Sequence, residues 1–309
     1  MKCLVTGATG FIGSRLVPHL ADHGHEVLAF SRSGGPLQDG TPTVALDLAR
    51  TAISSEALCE VDVVVHLAGI AHQQASGDAY RTAVVESTQD LATQAAAAGV
   101  GHFIYFSSVK AMGALATSRV RSEHDCSDVL TPYGAAKRAA ETALLRGDST
   151  AAMSVSVVRP ALVYGVSAKG NLALLERAAR AGFPRPPELG ARSMVSLDAL
   201  LDLVASLVAN PPDGCNAWIA CDDEPYSTAQ VYDLLRNAMG LSARTSWLPL
   251  WLWRAGLGVM DVALRRRQDA TFEKLFGTEV YSNRALCAAT GWEPGCRLEA
   301  WAARVGAGA

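Results

Sequence analysis

The sequence has no closely paired cysteines, no strong excess of charge of one sign and no long uninterrupted apolar run. Its seven cysteines are scattered, and no two of them have Cys-x-x-Cys spacing. An odd number of such thiols predicts reduced cysteines in a cytoplasmic protein and no metal site. The formal net charge of −3 gives no electrostatic reason to expect a nucleic-acid partner. The immediate apolar start predicts no signal peptide.

The most apolar stretch, residues 247–264, is interrupted by Arg254 and Asp261. It therefore does not predict a stable membrane insertion. We expect an amphipathic or buried helix, with contact at a membrane surface as the alternative. Its three tryptophans are expected to be packing residues, with stacking on a sugar as the alternative. The only dense basic run, residues 265–267, is predicted to be a solvated helix end and not a binding patch.

Residues 1–13 carry the strongest positive signal. An apolar run at 3–5 precedes glycines at 7, 10 and 13, and a helical pattern follows at 14–22. Glycines permit a tight turn, close approach of a ligand and close packing of strand on helix. The free N–H groups and the dipole of the helix then favour a phosphate. The pattern predicts a dinucleotide site, and its expected binding residues are Gly7, Thr9, Gly10, Phe11, Ile12 and Gly13.

Strand and helix patterns alternate up to about residue 165. Strands are expected at 26–30, 43–46, 61–66, 102–108 and 155–158, and long helices at 78–98 and 133–146. This alternation predicts an α/β fold, a doubly wound parallel sheet with right-handed crossovers. We expect residues 1–165 to form a Rossmann dinucleotide-binding domain with later returns near 191–222. Residues 166–309 would form a smaller, mostly helical C-terminal substrate domain, interleaved with it.

The loop after the second strand predicts which dinucleotide is bound. An acidic residue about 20 residues beyond the glycines is typical of NAD sites, but here the loop is Ser31-Arg32-Ser33, with no carboxylate before Asp39. Arg32 and the two hydroxyls can instead hold a 2′-phosphate. NADP(H) is therefore the preferred cofactor, and NAD(H) is possible.

A tyrosine and a lysine four residues apart supply the candidate acid–base chemistry. Tyr133 and Lys137 fall on one face of a predicted helix. We expect the Lys137 ammonium to lower the pKa of the phenol, so that Tyr133 gives or takes a proton near neutral pH. Ser107 and Ser108 end a predicted strand, where ligands of open α/β sheets gather.

Together these motifs resemble the extended branch of the short-chain dehydrogenase/reductase superfamily, of the NAD-dependent epimerase/dehydratase type. The likeness is carried by Thr-Gly-Ala-Thr-Gly-Phe-Ile-Gly at 6–13, the two serines, Tyr-x-x-x-Lys at 133–137 and Arg-Pro-Ala-Leu-Val-Tyr-Gly at 159–165. The resemblance implies that Tyr133 is the general acid/base, Lys137 its partner and Ser108 the group that bonds the reacting oxygen. Further implied cofactor contacts are Asp47, Leu48, Leu67, Ala68, Gly69, Ser107, Tyr133, Lys137, Pro160 and Val163.

The same resemblance implies substrate contacts. Besides Ser108 and Tyr133, they are His72, Asn171 and Arg192, the last two matching residues that hold the nucleotide diphosphate of the family's substrates. The alternatives are a surface histidine, a helix cap and a surface charge, respectively. For Asp47 the alternative to a cofactor contact is a cap of the following turn. One departure is that Val84 replaces the asparagine of the family's Asn-Val-x-Gly-Thr.

We therefore predict an NADP(H)-dependent reductase of a 4-keto nucleotide sugar, similar to reductases of UDP-4-keto-6-deoxy-N-acetylhexosamines. A UDP-hexose 4-epimerase that uses NAD is the first alternative, since its site residues are the same. A non-catalytic dinucleotide-binding sensor is the second, although such proteins typically lose the tyrosine or the lysine. A dehydratase is disfavoured because Val109-Lys110, and not an acidic pair, follows Ser108. The resemblance also implies a homodimer joined through the helices at 78–98 and 133–146.

Overall fold

The computed structural model describes residues 1–69, 77–114, 119–129, 131–147, 153–165, 171–263, 269–295 and 297–307. Within these ranges the strands are β1 (Lys2–Thr6), β2 (Glu26–Ser31), β3 (Gly35–Pro36), β4 (Pro42–Ala45), β5 (Val63–His66), β6 (His102–Phe106), β7 (Ser154–Pro160), β8 (Leu162–Tyr164), β9 (Met194–Ser196) and β10 (Cys215–Ala220).

The helices of the same ranges are α1 (Gly13–Asp22), α2 (Ser55–Leu58), α3 (Gly77–Tyr80), α4 (Ser87–Ala97), α5 (Pro132–Arg146), α6 (Asn171–Arg180), α7 (Leu197–Ala209), α8 (Thr228–Ala238), α9 (Leu250–Ala263), α10 (Ala270–Phe276), α11 (Arg284–Thr290) and α12 (Leu298–Gly306). A π-helical turn, Arg81–Glu86, joins α3 to α4, and a 3₁₀ turn, Val109–Met112, follows β6.

The large sheet has the strand order β10-β7-β6-β5-β1-β2-β4-β3. Its neighbouring strands are parallel except for β3 and β4. From β1 the chain continues on one side through β2 and later on the other side through β5, so the order reverses between β1 and β5. Ligands of such sheets bind at the carboxyl ends of the strands at this reversal point. Thr6 of β1 and His66 of β5 are in register there.

Buried apolar strands explain the layered arrangement. Strands β1, β5 and β6 are almost wholly buried, as strands covered on both faces must be. One face packs on α1 and α7 through Leu16, Leu20 and Leu200. The other packs on α4 and α5 through Leu91 and Leu144. The predicted α/β doubly wound sheet is confirmed.

A further core lies among the later elements. It joins β8, α6, α8 and α12, with Tyr164, Tyr232 and Trp301 buried in it. Strands β8 and β9 form a small parallel pair, whereas β10 pairs with β7 and extends the large sheet. The chain therefore returns to the sheet after residue 165, while the division into two domains at that residue stays a prediction.

Helix α5, which carries the candidate catalytic pair, begins where the sequence predicts. The Thr131 side chain accepts a hydrogen bond from Gly134 N, and Pro132 occupies the first turn, where its missing N–H costs nothing. The helix predicted at 78–98 is instead divided by the π-helical turn, a feature frequent at functional sites. None of the helices in the described ranges is long and apolar enough to cross a membrane.

Candidate active site

The glycine turn after β1 forms an open cradle. Gly7 has a φ of +72°, and a Cβ there would lie 2.8 Å from Ala68 N. A Cβ at Gly13 would collide with Gly7 O, whereas one at Gly10 would meet, among the described residues, only Gly7 O at 3.1 Å. No side chain caps the first turn of α1. Gly7 and Gly13 are thus required by packing, and the side of Gly10 away from the turn is free for a phosphate.

The loop after β2 partly corrects the sequence expectation. The Ser31 hydroxyl is buried, lies 2.9 Å from Thr43 Oγ1 and accepts a hydrogen bond from Gly34 N. It therefore holds the loop together and is not available to a 2′-phosphate. Arg32 and Ser33 are exposed. Asp47 Oδ1 accepts from Ala49 N at 3.2 Å, which is the capping alternative, so its contact with the adenine stays a prediction.

The catalytic serine and tyrosine meet at the carboxyl end of β6. Ser108 lies just beyond this strand, and its Oγ accepts a hydrogen bond from Lys110 N at 3.2 Å. Tyr133 stands in the first turn of α5, half-buried, with its phenol close enough to the Ser108 hydroxyl for that group to lower the phenol pKa. Its ring lies 6.2 Å from that of Tyr80. Two residues that are 25 positions apart in the chain are thus brought together as the resemblance implies.

Lys137 lies beneath this pair. Its side chain is buried, its Nζ donates to Phe106 O at 2.8 Å, and the same atom lies 4.6 Å from the centroid of the Tyr105 ring. Burial lowers the pKa of Lys137 to about 8, although the nearby Glu141 carboxylate opposes the shift. An ammonium has three donors, so this one retains donor capacity for ribose hydroxyls.

The expected effect of Lys137 on the pKa of Tyr133 is wrong. Burial raises the pKa of Tyr133 above its usual value, and the neighbouring Ser108 hydroxyl only partly opposes this. The reason is geometric, because the Lys137 ammonium is directed at Phe106 O. The phenol is therefore held in its protonated form at neutral pH.

The residues between the glycine turn and the catalytic pair fit a nicotinamide dinucleotide. Ser107 Oγ is buried and has no hydrogen-bond partner within the described part of the chain, a state that a polar ligand group would relieve. Phe11 and Val163 are partly buried and pack against the core between the large sheet and helices α1 and α7. Pro160 ends β7, opposite Ala220 of β10. Their individual contacts with a cofactor stay predictions.

A buried ion pair behind Lys137 was missed by the sequence reasoning. Glu141 and Arg159 form two hydrogen bonds, Nε to Oε1 at 3.0 Å and Nη2 to Oε2 at 2.8 Å. Their side chains are 1% and 7% exposed. The signal that could have found Glu141 is its position one helical turn after Lys137. The pair ties α5 to β7 directly behind the catalytic lysine.

His66 fixes the strand ends at the reversal point. Its ring nitrogens lie 2.7 Å from Thr6 Oγ1 and 3.0 Å from Thr88 Oγ1. Burial, with a smaller effect of Lys137, lowers the pKa of His66 to about 3, so the ring is neutral. Val84, at the position of the family's asparagine, borders Gly69 and lies in the π-helical turn.

A second charged cluster, half-exposed, joins three residues distant in sequence. Glu279 accepts from Lys110 Nζ at 2.9 Å and from Arg192 Nη1 at 2.8 Å. Burial alone raises the pKa of Glu279, but Lys110 and Arg192 lower it overall. Arg192, predicted to bind a diphosphate, is therefore neutralised by Glu279. His72 and the side chain of Asn171 lie outside the described residues.

The chain is similar to several known proteins. The model of the NAD-dependent epimerase/dehydratase family matches residues 3–183. A UDP-glucose 4-epimerase of Vibrio cholerae is 32% identical over 262 residues, 81% of this chain and 79% of that protein. A 2-alkyl-3-oxoalkanoate reductase of Stenotrophomonas maltophilia is 30% identical over 258 residues, 78% of this chain and 76% of that one.

A solved structure agrees along almost the whole length. MoeE5 in complex with UDP-glucuronic acid and NAD superposes with a TM-score of 0.77 and 25% identity, covering 98% of this chain and 97% of that one. The family model covers more than half of this chain, and the described fold agrees with that of the solved structure. The chain is therefore an enzyme that belongs to the NAD-dependent epimerase/dehydratase family.

Proposed function

We propose that the protein reduces a 4-keto nucleotide sugar with NADPH. The observation that carries this proposal is the placement of the Tyr133 phenol beside the Ser108 hydroxyl at the carboxyl end of β6. Reduction of a ketone needs a proton donor at that point, and the Tyr133 phenol is placed to be that donor.

The glycine turn, the loop at Arg32 and the residues beside Lys137 would hold the dinucleotide. When bound, it supplies the hydride that the carbonyl carbon accepts. Ser108 would form a hydrogen bond with the carbonyl oxygen of the substrate, and Tyr133 would donate the proton to the same oxygen. The carbonyl thereby becomes an alcohol and NADPH becomes NADP⁺, so hydride and proton balance.

Lys137 would serve in two ways. Its remaining donors are placed to bind ribose hydroxyls, and its buried side chain, fixed to Phe106 O beneath Ser108 and Tyr133, holds the turn of α5 that carries the proton donor. Because the ammonium is buried and fixed by Phe106 O, both effects need no rearrangement of the helix.

The preference for NADPH rests on the loop after β2. Arg32 is exposed there, and the sequence offers no carboxylate before Asp39. A carboxylate would repel a 2′-phosphate, whereas a guanidinium forms charge-assisted hydrogen bonds with it. The substrate class is supported by the V. cholerae relative and by MoeE5, which bind or act on UDP-sugars. A UDP-4-keto-6-deoxy-N-acetylhexosamine is the form we propose.

Arg192 is the proposed contact for the diphosphate. In the structure it is paired with Glu279, so binding of a diphosphate would require Glu279 to retain only Lys110 as its partner. The ion pairs of Lys110, Arg192 and Glu279 would therefore rearrange when a substrate binds.

A second candidate is a UDP-hexose 4-epimerase, favoured by the identity with the V. cholerae enzyme. The test is to supply purified protein with NADPH and a UDP-4-keto-6-deoxyhexosamine, and separately with UDP-glucose and no added dinucleotide. We expect one NADPH oxidised for each alcohol formed and no conversion of UDP-glucose. Conversion of UDP-glucose by protein that retains NAD, without consumption of NADPH, would establish the epimerase instead.

We further propose a homodimer joined through α4 and α5. Exposed alanines at 135 and 139 on α5 permit close packing of a second copy. Light scattering at micromolar concentration should give about twice the 32.5 kDa mass of one chain, and a mass of one chain would contradict the proposal.

A further inference from the structure

Helix α9 presents apolar side chains to solvent. Trp251, Val259 and Val262 are 66%, 71% and 78% exposed, and Trp247 just before the helix is 68% exposed. The expectation that all three tryptophans pack in the interior is thus wrong for Trp247 and Trp251. Only Trp253 packs inward, with its ring edge-on to Phe276 at 5.8 Å.

The exposed residues share one side of the helix. With about 100° between successive residues, Trp251, Leu252, Ala255, Val259 and Val262 fall together, and all five are apolar and exposed. We call these five residues the outward face of α9. No charged residue interrupts it.

The opposite side of α9 packs against the rest of the protein. Trp253, Leu257 and Asp261 lie on it, and the buried Asp261 carboxylate accepts hydrogen bonds from the backbone and side chain of Thr271 in α10. A surface helix of a globular protein normally has the reverse pattern, apolar inward and polar outward. Exposed apolar patches of this kind mark interaction sites. The outward face therefore indicates a surface that contacts a partner.

Charge around this face indicates the partner. Arg254 lies at its edge with 60% of its side chain exposed, and its Nε pairs with Asp269 Oδ1 at 3.3 Å. In the sequence, residues 241–268 contain five arginines and one aspartate, although the whole chain has a net charge of −3. A local positive charge beside an apolar face matches an anionic lipid surface.

The length and composition of the helix agree with that partner. Fourteen residues extend about 21 Å, too short to cross a bilayer, which needs about 20 residues. Tryptophans at its start are the residues that favour the headgroup region.

We propose that α9 lies in the surface of an anionic lipid bilayer, with its outward face among the acyl chains and Arg254 at the headgroups. The exposed positions extend around roughly half of the helix, from Arg254 to Gly256 in projection. A lipid surface accommodates an apolar face of that width, with basic residues beside it at the headgroups. The proposal does not depend on the substrate of the enzyme.

The test is flotation of the full-length protein with vesicles of phosphatidylcholine, with and without phosphatidylglycerol. The variant Trp251→Glu/Val259→Glu places two charges on the outward face, and the matched control Phe183→Glu changes an aromatic side chain that is 60% exposed elsewhere. We expect the wild type and the control to float with the anionic vesicles. The double variant should partition at least tenfold less, with unchanged oxidation of NADPH.

A second measurement needs no variant. Quenching of tryptophan fluorescence by brominated lipid should be seen with anionic vesicles and should diminish at high salt. Failure of the wild type to float or to be quenched would overturn the proposal, as would flotation that the double variant leaves unchanged. A large assembly that the double variant dissociates, without any binding to vesicles, would show instead that the outward face joins two copies.

Discussion

The two ends of the dinucleotide crevice differ in how firmly the protein holds their cationic residues. At the catalytic end, Lys137 is 5% exposed and fixed by Phe106 O and the Tyr105 ring. At the other end, Arg32 is exposed, and no ion pair holds its guanidinium within the described ranges. The candidate catalytic lysine is thus buried and fixed, whereas the arginine that we propose selects the cofactor is left in water.

The two ion clusters also differ in burial, although their paired atoms are equally far apart. Arg159 and Glu141 meet at 2.8 Å with both side chains buried, and Arg192 and Glu279 meet at 2.8 Å with side chains 19% and 29% exposed. The first couples α5 to the sheet. The second is accessible and can exchange partners with a ligand.

The largest expected effect is at the catalytic end. Tyr133→Phe removes the proton donor but keeps the ring, so turnover should fall by about 10²–10⁴-fold. Affinity for NADPH, measured by fluorescence titration, should be nearly unchanged because the ring still fills its place beside Tyr80. A variant that keeps more than about a tenth of the activity would show that another group donates the proton.

The next largest expected difference is in the free energy of unfolding, between variants of the two ion clusters. Glu141→Gln leaves the Arg159 guanidinium buried without a counter-charge, which should cost about 3–5 kcal/mol of unfolding free energy. Glu279→Gln, the matched control in the more accessible cluster, should cost about 1 kcal/mol or less. Denaturant unfolding measures both. Equal costs would mean that burial does not distinguish the two clusters.

Lys137→Met should weaken both turnover and binding of NADPH, each by about 10–150-fold, as expected for loss of a charged hydrogen-bonding group. Single-turnover kinetics and titration separate the two. An effect on only one of them would refute the double role.

The pH dependence follows from the same lysine. Its pKa is lowered to about 8, so the ammonium is present below pH 8 and is lost as the pH rises through that value. The kcat/KM for NADPH should therefore fall by about tenfold per pH unit above 8. Burial keeps the Tyr133 phenol protonated in this range, so this limb belongs to Lys137. A profile that stays flat well above pH 8 would contradict the assignment.

At the exposed end, the expected effect is confined to one of the two cofactors. Arg32→Ala should weaken NADPH by about 10–150-fold, through loss of charge-assisted hydrogen bonds to the 2′-phosphate, and leave NADH almost unchanged. Arg146→Ala is the control, since Arg146 ends α5 and is followed in the chain by the amino end of β7, away from the loop after β2. If Arg32→Ala weakened the binding of NADPH and of NADH equally, the loop would have no part in cofactor selection.

Local patterns predicted the parts of the fold and site that depend on neighbours in sequence. The apolar runs and the glycine turn gave the strands around the reversal point. The four-residue spacing of Tyr133 and Lys137 placed both on α5, since helix geometry alone decides it.

Features that depend on tertiary packing were not predictable in the same way. The direction of the Lys137 ammonium depends on Phe106 O, 31 residues earlier. Glu279 reaches Lys110 across 169 residues, and no short pattern encodes such a partner. The inward Ser31 hydroxyl depends on its partner Thr43 in the neighbouring strand, and the outward tryptophans of α9 reverse the usual preference for burial.

The central claim is tested most directly by comparing the affinities of the wild-type protein for NADPH and NADH. Specificity is a difference between two binding free energies, so the ratio of the two dissociation constants is the quantity to measure. We predict that NADPH binds at least about tenfold more tightly than NADH, because Arg32 faces a 2′-phosphate with no competing carboxylate. Equal affinities, or tighter binding of NADH, would contradict the reductase and favour the NAD-dependent epimerase.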